Sequence, residues 1–303
     1  MVSEVISFLV TIKDGIYVDG TVGSGGHSEA ILKALSERGR LICLDRDSDA
    51  IRFSKERLED QGKRITFVKA NFADLDVVLK DLGVSRVDGI LLDLGMSSYQ
   101  LDQSGRGFSF NRDELLDMRM DQEQETTAED IINRFSARDI EAILKNFGEE
   151  RRARAIARLI DVERKKKDLK TTLQLAGLIR SITPHSHNPW TKDPATRTFQ
   201  ALRIAVNKEL ENLRRFLEVV PSLMESGGRL VLLTYHSLED RPVKEAISDW
   251  EKDCVCPPDI PECACDKQPL FRRVNKKMLK PGTLEIKDNP RARSAILRAA
   301  ERI

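Results

Sequence analysis

Four short apolar runs, each followed by a stretch with helical patterning, constrain the fold of this chain more than any other feature. They are Ile16-Tyr17-Val18, Leu41 to Leu44, Ile65-Thr66-Phe67-Val68 and Ile90-Leu91-Leu92. The helix-like stretches are Ser28 to Arg38, Ser48 to Gln61 and Leu75 to Leu82. An apolar run without polar alternation is a strand buried on both faces, the condition of a parallel sheet covered by its crossover helices. Repeated at this pitch, the pattern predicts an α/β fold with a doubly wound sheet.

The alternation stops near Gly105. Up to Thr198 the sequence reads as helices, over Ala128 to Phe135, Ala137 to Phe147, Glu149 to Glu163 and Thr171 to Ile182. In the last of these, Leu173, Leu175, Leu178 and Ile179 have the spacing of one apolar face. A long helix is predicted around Arg203 to Glu225, then strands at Gly228 to Thr234, Phe271 to Val274 and Ala295 to Leu297. The expected organisation is a core in two pieces, residues 1–104 and 201–303, interrupted by an inserted helical domain over residues 105–200.

Composition narrows the setting. No apolar run approaches the roughly 20 residues that cross a bilayer, and no secretory signal is visible in Met1 to Val10. A cytoplasmic protein without membrane association is expected. Net charge is only +1, but its distribution is uneven: Arg151 to Arg203 holds thirteen Lys/Arg against four Asp/Glu, after an acidic stretch from Asp113 to Glu150. Such a basic segment is a candidate phosphate-binding surface as well as an ordinary solvated face. Cys254, Cys256, Cys263 and Cys265 are spaced C-x-C-x6-C-x-C. Four thiols can hold one zinc, but this spacing is tighter than the usual C-x2-C knuckle. Thiols without a metal are the expectation, and Cys43 reads as core.

The turn after the first run carries the chemistry. Asp19-Gly20-Thr21-Val22-Gly23-Ser24-Gly25-Gly26-His27 places four glycines between a strand and a helix start. Glycine lets a ligand approach the backbone, and the helix start offers unpaired N–H groups to an anion. The dinucleotide fingerprint G-x-G-x-x-G, begun at Gly23 and Gly25, would need its third glycine at Ser28, so it fails. An acidic residue ahead of this cluster suits a ligand with a cationic amine and no pyrophosphate, of which S-adenosylmethionine is one. Asp45, nineteen residues after Gly26, is placed to accept ribose hydroxyls. That carboxylate would also serve NAD, so an NAD-dependent oxidoreductase stands as a competing reading, disfavoured by Ser28.

Asp93-Leu94-Gly95-Met96-Ser97-Ser98 puts a carboxylate and two hydroxyls at the carboxyl end of the fourth run, the edge where open α/β sheets bind ligands. Phe72, in Asn71-Phe72-Ala73-Asp74, can lie against a base or belong to the core. Phe108 and Phe110 can stack on an extruded base or anchor the insert, and anchoring is expected.

Together these segments resemble the ribosomal RNA small subunit methyltransferase H family. The resemblance runs nearly end to end, through Asp19 to His27, Leu44-Asp45-Arg46-Asp47 and Asp93 to Asp102. It continues through Arg106-Gly107-Phe108-Ser109-Phe110, Leu116 to Asp121, Thr198 to Arg203, His236 to Arg241 and Asn289 to Ser294. It implies a Rossmann-like class I methyltransferase sheet with an inserted all-helical RNA-recognition domain. It further implies S-adenosylmethionine-dependent N4-methylation of one cytidine in the decoding region of 16S rRNA. The partner is then the small ribosomal subunit or its RNA. Cofactor contacts implied by the resemblance are Gly25, Gly26, His27, Asp45, Phe72, Asp93 and Gln100. No metal ligand and no catalytic base are assigned, although Asp93, Ser97 and Ser98, and after them Tyr235 and His236, are candidate proton acceptors. Only Met1-Val2-Ser3 precede the segment matching Glu4-Val5, where the family has a His-Ile-Pro-Val-like arm, so weaker closure over cofactor or RNA is expected. The residues by themselves also allow a non-enzymatic RNA-binding or ribosome-assembly module, or a methyltransferase acting on protein or lipid.

Overall fold

The computed structural model describes residues 1–182, 193–256, 265–275 and 277–303. The chain divides into two compact units, residues 1–95 with 210–303 and residues 96–209.

In the first unit, α1 (Val2–Leu9) precedes β1 (Ile16–Asp19), α2 (Gly26–Ala34), β2 (Arg40–Asp45), α3 (Ser48–Arg57), β3 (Ile65–Lys69), α4 (Leu75–Asp81) and β4 (Val87–Asp93). The second unit contains α5 (Ser98–Asp102), α6 (Ala128–Arg134), α7 (Ala137–Gly148), α8 (Ala153–Arg164), α9 (Thr172–Ile182) and α10 (Ala195–Asn207). Then follow α11 (Glu209–Val219), β5 (Met224–Thr234), α12 (Ser237–Trp250), β6 (Phe271–Arg273), α13 (Thr283–Asp288) and β7 (Ile296–Arg302). The seven strands form one sheet in the order β3-β2-β1-β4-β5-β7-β6. β1 to β5 are parallel, and β7 runs antiparallel to both β5 and β6. The order reverses between β1 and β4, and such a switch point opens a crevice at the strands' carboxyl ends.

The lack of polar alternation in the runs of β1, β2 and β4 has a direct cause, whereas β3, at the sheet edge, is only half-buried and exposes Thr66. Successive side chains point to opposite faces, and both faces are covered. Val18, Ile42, Leu44, Ile90 and Leu92 pack with Leu75 and Leu79 of α4, Phe216 of α11 and Ile247 of α12. Tyr17, Leu41, Cys43 and Leu91 pack with Val5 and Leu9 of α1, Ile31 of α2 and Ile51 of α3. Helix α1 is absent from the sequence expectation, yet Val5 and Leu9 are fully buried.

The second unit has a core of its own, built from Ile131, Ile140, Leu144, Ile156, Ile160, Leu175, Ile179 and Phe199. Its α6 opens with a capping box in which Thr127 and Asp130 satisfy each other's backbone N–H groups, worth about 1 kcal/mol. Phe108 is buried in this core, and Phe110 meets Phe199 edge-on with centroids 5.0 Å apart, so both act as anchors.

Three details depart from expectation. Leu173 is 43% exposed, because the buried stripe of α9 runs through Thr172, Leu175, Ala176 and Ile179. The expected helix over Arg203 to Glu225 is two helices, broken at Lys208, whose φ of 51° is left-handed. The break is held by Asn207, whose side chain donates to the carbonyls of Met118 (2.8 Å) and Arg203 (2.9 Å) and accepts from Met120 N–H (2.8 Å). The boundaries between units fall at 95/96 and 209/210, outside the expected 104/105 and 200/201. A cut after Gln200 would split α10, whose Phe199, Leu202 and Val206 all belong to the helical core.

Candidate active site

Four groups converge at the carboxyl ends of β1, β2, β4 and β5 in the first unit. Past the strand ends the sheet's hydrogen bonding continues into the turns: Gly20 N–H donates to Leu91 O (2.9 Å), Val22 N–H to Leu44 O (2.9 Å) and Leu94 N–H to Leu233 O (3.0 Å). These bonds fix each turn relative to its neighbouring strand.

Asp19, at the tip of β1, is buried and braces the glycine turn. Its carboxylate accepts from the Ser28 hydroxyl (2.6 Å) and from Thr21 N–H (3.2 Å). Burial holds its carboxyl above the usual aspartate range, against the Ser28 hydrogen bond and the nearby His27 charge. The carboxylate that the sequence reading aimed at a ligand amine is thus engaged within the turn. Ser28, which appeared there only as a failed glycine, is its partner. Gly25 caps α2 with φ +81°, a conformation that costs side-chain-bearing residues about 1 kcal/mol or more. A Cβ added at Gly26 would meet nothing within 4 Å, so the backbone at the start of α2 faces open space.

Asp45, at the tip of β2, accepts from Gly23 N–H and Asp47 N–H, each at 3.0 Å. Burial pushes its carboxyl up to about 6, only partly offset by the Asp47 and Gly23 hydrogen bonds. Phe72 stands beside the turn, its Cβ 3.3 Å from a Cβ built on Gly20, with its ring edge-on to Phe216 at 5.8 Å.

Asp93, at the tip of β4, accepts from the Tyr235 hydroxyl at 2.8 Å, and its other oxygen lies 3.4 Å from His27 Nδ1. Its own N–H donates to the Thr21 hydroxyl at 2.7 Å. Burial raises the Asp93 carboxyl, opposed by the His27 charge and the Tyr235 hydrogen bond. Burial and the Asp93 charge both push the Tyr235 phenol upward, so it remains a donor. Beyond β5, Glu239 is buried and accepts from Tyr235 N–H at 2.8 Å. His236 Nε2 lies 3.0 Å from the other Glu239 oxygen but out of line for a hydrogen bond. The sequence reading missed Glu239; an acid three residues after His236 in the first turn of a helix was the available signal.

Gln100 belongs to the second unit. It is buried and forms a capping box with Ser97: Gln100 N–H donates to the Ser97 hydroxyl (3.2 Å), and Ser97 N–H to Gln100 Oε1 (3.0 Å). Ser97 therefore has a capping role that the sequence reading did not foresee.

Whether a nucleoside cofactor fits is tested by what the turn leaves open. Among the described residues His27 Nε2 is buried with no hydrogen-bond partner, and the backbone of Gly26, the residue before it, is open. Asp45 is an acceptor poised at the next strand tip. These residues fit a ligand that carries ribose hydroxyls and a small polar end.

A sheet in the order β3-β2-β1-β4-β5-β7-β6, with only β7 antiparallel to its two neighbours and a glycine turn after β1, is a Rossmann-like class I methyltransferase fold. Residues 1–303 match the MraW methylase family, and the chain belongs to that family. It is 46% identical over 303 residues to ribosomal RNA small subunit methyltransferase H of Halothermothrix orenii, spanning 100% of this chain and 97% of that protein. Identity to the protein of the same name from Desulfosudis oleivorans is 47% over 304 residues, with 100% and 97% covered. A solved rRNA methylase from Streptococcus thermophilus superposes with a TM-score of 0.44 at 11% identity, over 100% of this chain and 93% of that one. No helix among the described residues is long and apolar enough to cross a membrane.

Proposed function

We propose that this methyltransferase moves the methyl group of S-adenosylmethionine to the exocyclic N4 amine of one cytidine in the decoding region of 16S rRNA. The observation that carries the reading is Asp93, held between the Tyr235 hydroxyl and the His27 ring beside the open turn at Gly26. Small-subunit RNA as substrate is supported by the names of relatives that share nearly half of this sequence over its whole length. Cytidine N4 is what the motif resemblance implies.

Gly25, Gly26 and His27 would hold the amino-acid end of the cofactor, Asp45 its ribose and Phe72 its base. When bound, the cofactor supplies an electrophilic methyl carbon on a sulfonium. The chain's own work is placement and proton handling. A cytosine amine is a weak nucleophile because its lone pair is delocalised into the ring, so acceptors for its hydrogens favour the attacking geometry. The Tyr235 hydroxyl occupies one Asp93 oxygen, which leaves the oxygen facing His27 to take an amine hydrogen. The raised carboxyl of Asp93 suits it to accept the proton that the methylated amine releases.

The helical unit supplies RNA contacts through its basic stretch. Arg152 donates to the Ile182 carbonyl, Lys165 pairs with Asp161 (2.6 Å) and Lys166 with Glu163 (2.7 Å). Exposed pairs of this kind are worth about 0–1 kcal/mol, so both lysines can exchange them for phosphates.

The test is transfer of labelled methyl groups to small subunits and naked 16S rRNA from a strain lacking this enzyme, followed by nucleoside mass mapping. N4-methylcytidine at one decoding-region position is expected. Label on another base, or none on either RNA substrate, would overturn the assignment.

A further inference from the structure

The connection between α12 and β6 carries a cluster that methyl transfer does not use. Its two ends are tied together: Leu270 N–H donates to Trp250 O (2.7 Å), and the Trp250 and Phe271 rings lie 4.7 Å apart. Glu251 accepts from Arg273 N–H and pairs with its guanidinium, both at 2.7 Å. Twenty residues, Glu251 to Leu270, separate α12 from β6, more than the roughly 12–15 beyond which connections without a stabilising element become uncommon in compact domains. Val255 within the connection is 58% exposed, so burial of apolar surface does little to order it there.

The connection does bring three thiols together. The sulfurs of Cys254, Cys256 and Cys265 all lie within 4.8 Å of one another. Cys254 and Cys265 Sγ are 3.9 Å apart, far beyond the roughly 2.05 Å of a disulfide. Four sulfurs about 2.3 Å from a tetrahedral zinc stand about 3.8 Å from each other. Two backbone N–H groups point at the sulfurs, Val255 N–H at Cys265 Sγ (3.4 Å) and Cys256 N–H at Cys254 Sγ (3.3 Å). Such bonds stabilise thiolate, the form that binds metal.

We propose that Cys254, Cys256 and Cys265 bind a structural zinc ion that clips the α12–β6 connection against the sheet edge. Structural zinc sites are four-coordinate and rich in sulfur, and Cys254, Cys256 and Cys265 supply three such donors on a short stretch of chain. Their spacing in sequence argued against a metal; their convergence in space argues for one. Cys263 lies outside the described residues, and the three described sulfurs supply three of the four donors that tetrahedral zinc takes. Zinc binding displaces the thiol protons to solvent and involves no electron transfer.

The experiment uses the full chain, expressed with added zinc and purified under reducing conditions without chelator. Elemental analysis should find one zinc per chain, released by a mercurial thiol reagent. The protein refolded with cobalt(II) should show sulfur-to-cobalt charge transfer and the visible bands of tetrahedral coordination. The Cys254→Ser/Cys265→Ser variant should retain no zinc and be cut by protease within the connection at least tenfold faster, with the cofactor affinity of the parent. Zinc in the parent no higher than in the variant would overturn the proposal. Cobalt bands lacking thiolate character, or a Cys254–Cys265 disulfide as the resting state of the purified protein, would also overturn it.

Discussion

Replacing Asp45 with asparagine sets two properties of the β2 tip against each other. The carboxyl titrates near 6 in the fold against an ordinary 3.8. Each pKa unit corresponds to about 1.4 kcal/mol, so keeping Asp45 ionised at neutral pH costs the cofactor-free protein up to about 3 kcal/mol. Because the folded carboxyl is raised, its contribution to stability is complete below pH 3.8 and is lost as pH climbs through about 6. Asparagine does not titrate, but it offers one acceptor to the two N–H groups of Gly23 and Asp47. The unmet group costs about 1–3 kcal/mol at every pH. Asp45→Asn is therefore the less stable protein near pH 4.5 and gains about 2 kcal/mol on the parent by pH 7.5. Urea unfolding of both proteins without cofactor, at four pH values across that range, measures the difference directly. Calorimetric titration should show S-adenosylmethionine binding the variant about 10- to 100-fold more weakly, the effect of one lost hydrogen bond to a charged acceptor. Stability curves that run parallel in pH would refute the claim that burial of this carboxylate strains the empty site.

Other consequences follow from the same geometry. Tyr235→Phe removes the phenol donor from Asp93 and should slow single-turnover methyl transfer about 10- to 100-fold, leaving cofactor affinity near the parent's. Asp93→Ala should slow it further and weaken cofactor binding, and unchanged values for both would remove Asp93 from the site. Neutralising Arg152, Lys165, Lys166 and Lys167 together should flatten the salt dependence of rRNA binding by up to about 0.7–0.9 per lost phosphate contact. A slope equal to the parent's would reject this face. Gly107→Ala places a Cβ 2.1 Å from the Leu115 carbonyl at a φ of +76°, so it should destabilise the helical unit by about 3 kcal/mol or more in denaturant melts.

The parts of this protein legible in its sequence are those where one residue type has one physical use. The runs ending at Asp19, Asp45 and Asp93 are apolar because both sheet faces are covered, and a carboxylate closing such a run stands at the sheet's ligand-binding edge. Strand β7 was foreseen only at its start, because Arg298 and Glu301 interrupt its apolar pattern. Arg298 pairs with Asp240 (2.7 Å) and Glu301 with Arg229 and Arg272 (each 2.8 Å). Lys208 was invisible as a helix break because the periodicity of α10 resumes in α11, while the signal for the break lies in Asn207 and its distant partners. The Asp19–Ser28 and Asp93–Tyr235 bonds join residues 9 and 142 positions apart, and no local spacing announces either.

Strands β4 and β5 are neighbours in the sheet, yet residues 94–223 lie between them in the chain. A ribosome making this protein releases β1 to β4 first, then a helical unit with its own core, and only afterwards the strand that covers the free side of β4. Throughout that interval Gly89 to Asp93 expose backbone groups that any extended segment can pair with. Translation arrested within the helical unit therefore leaves a product with an adhesive edge, and growing cells should depend on chaperones to shield it until β5 emerges.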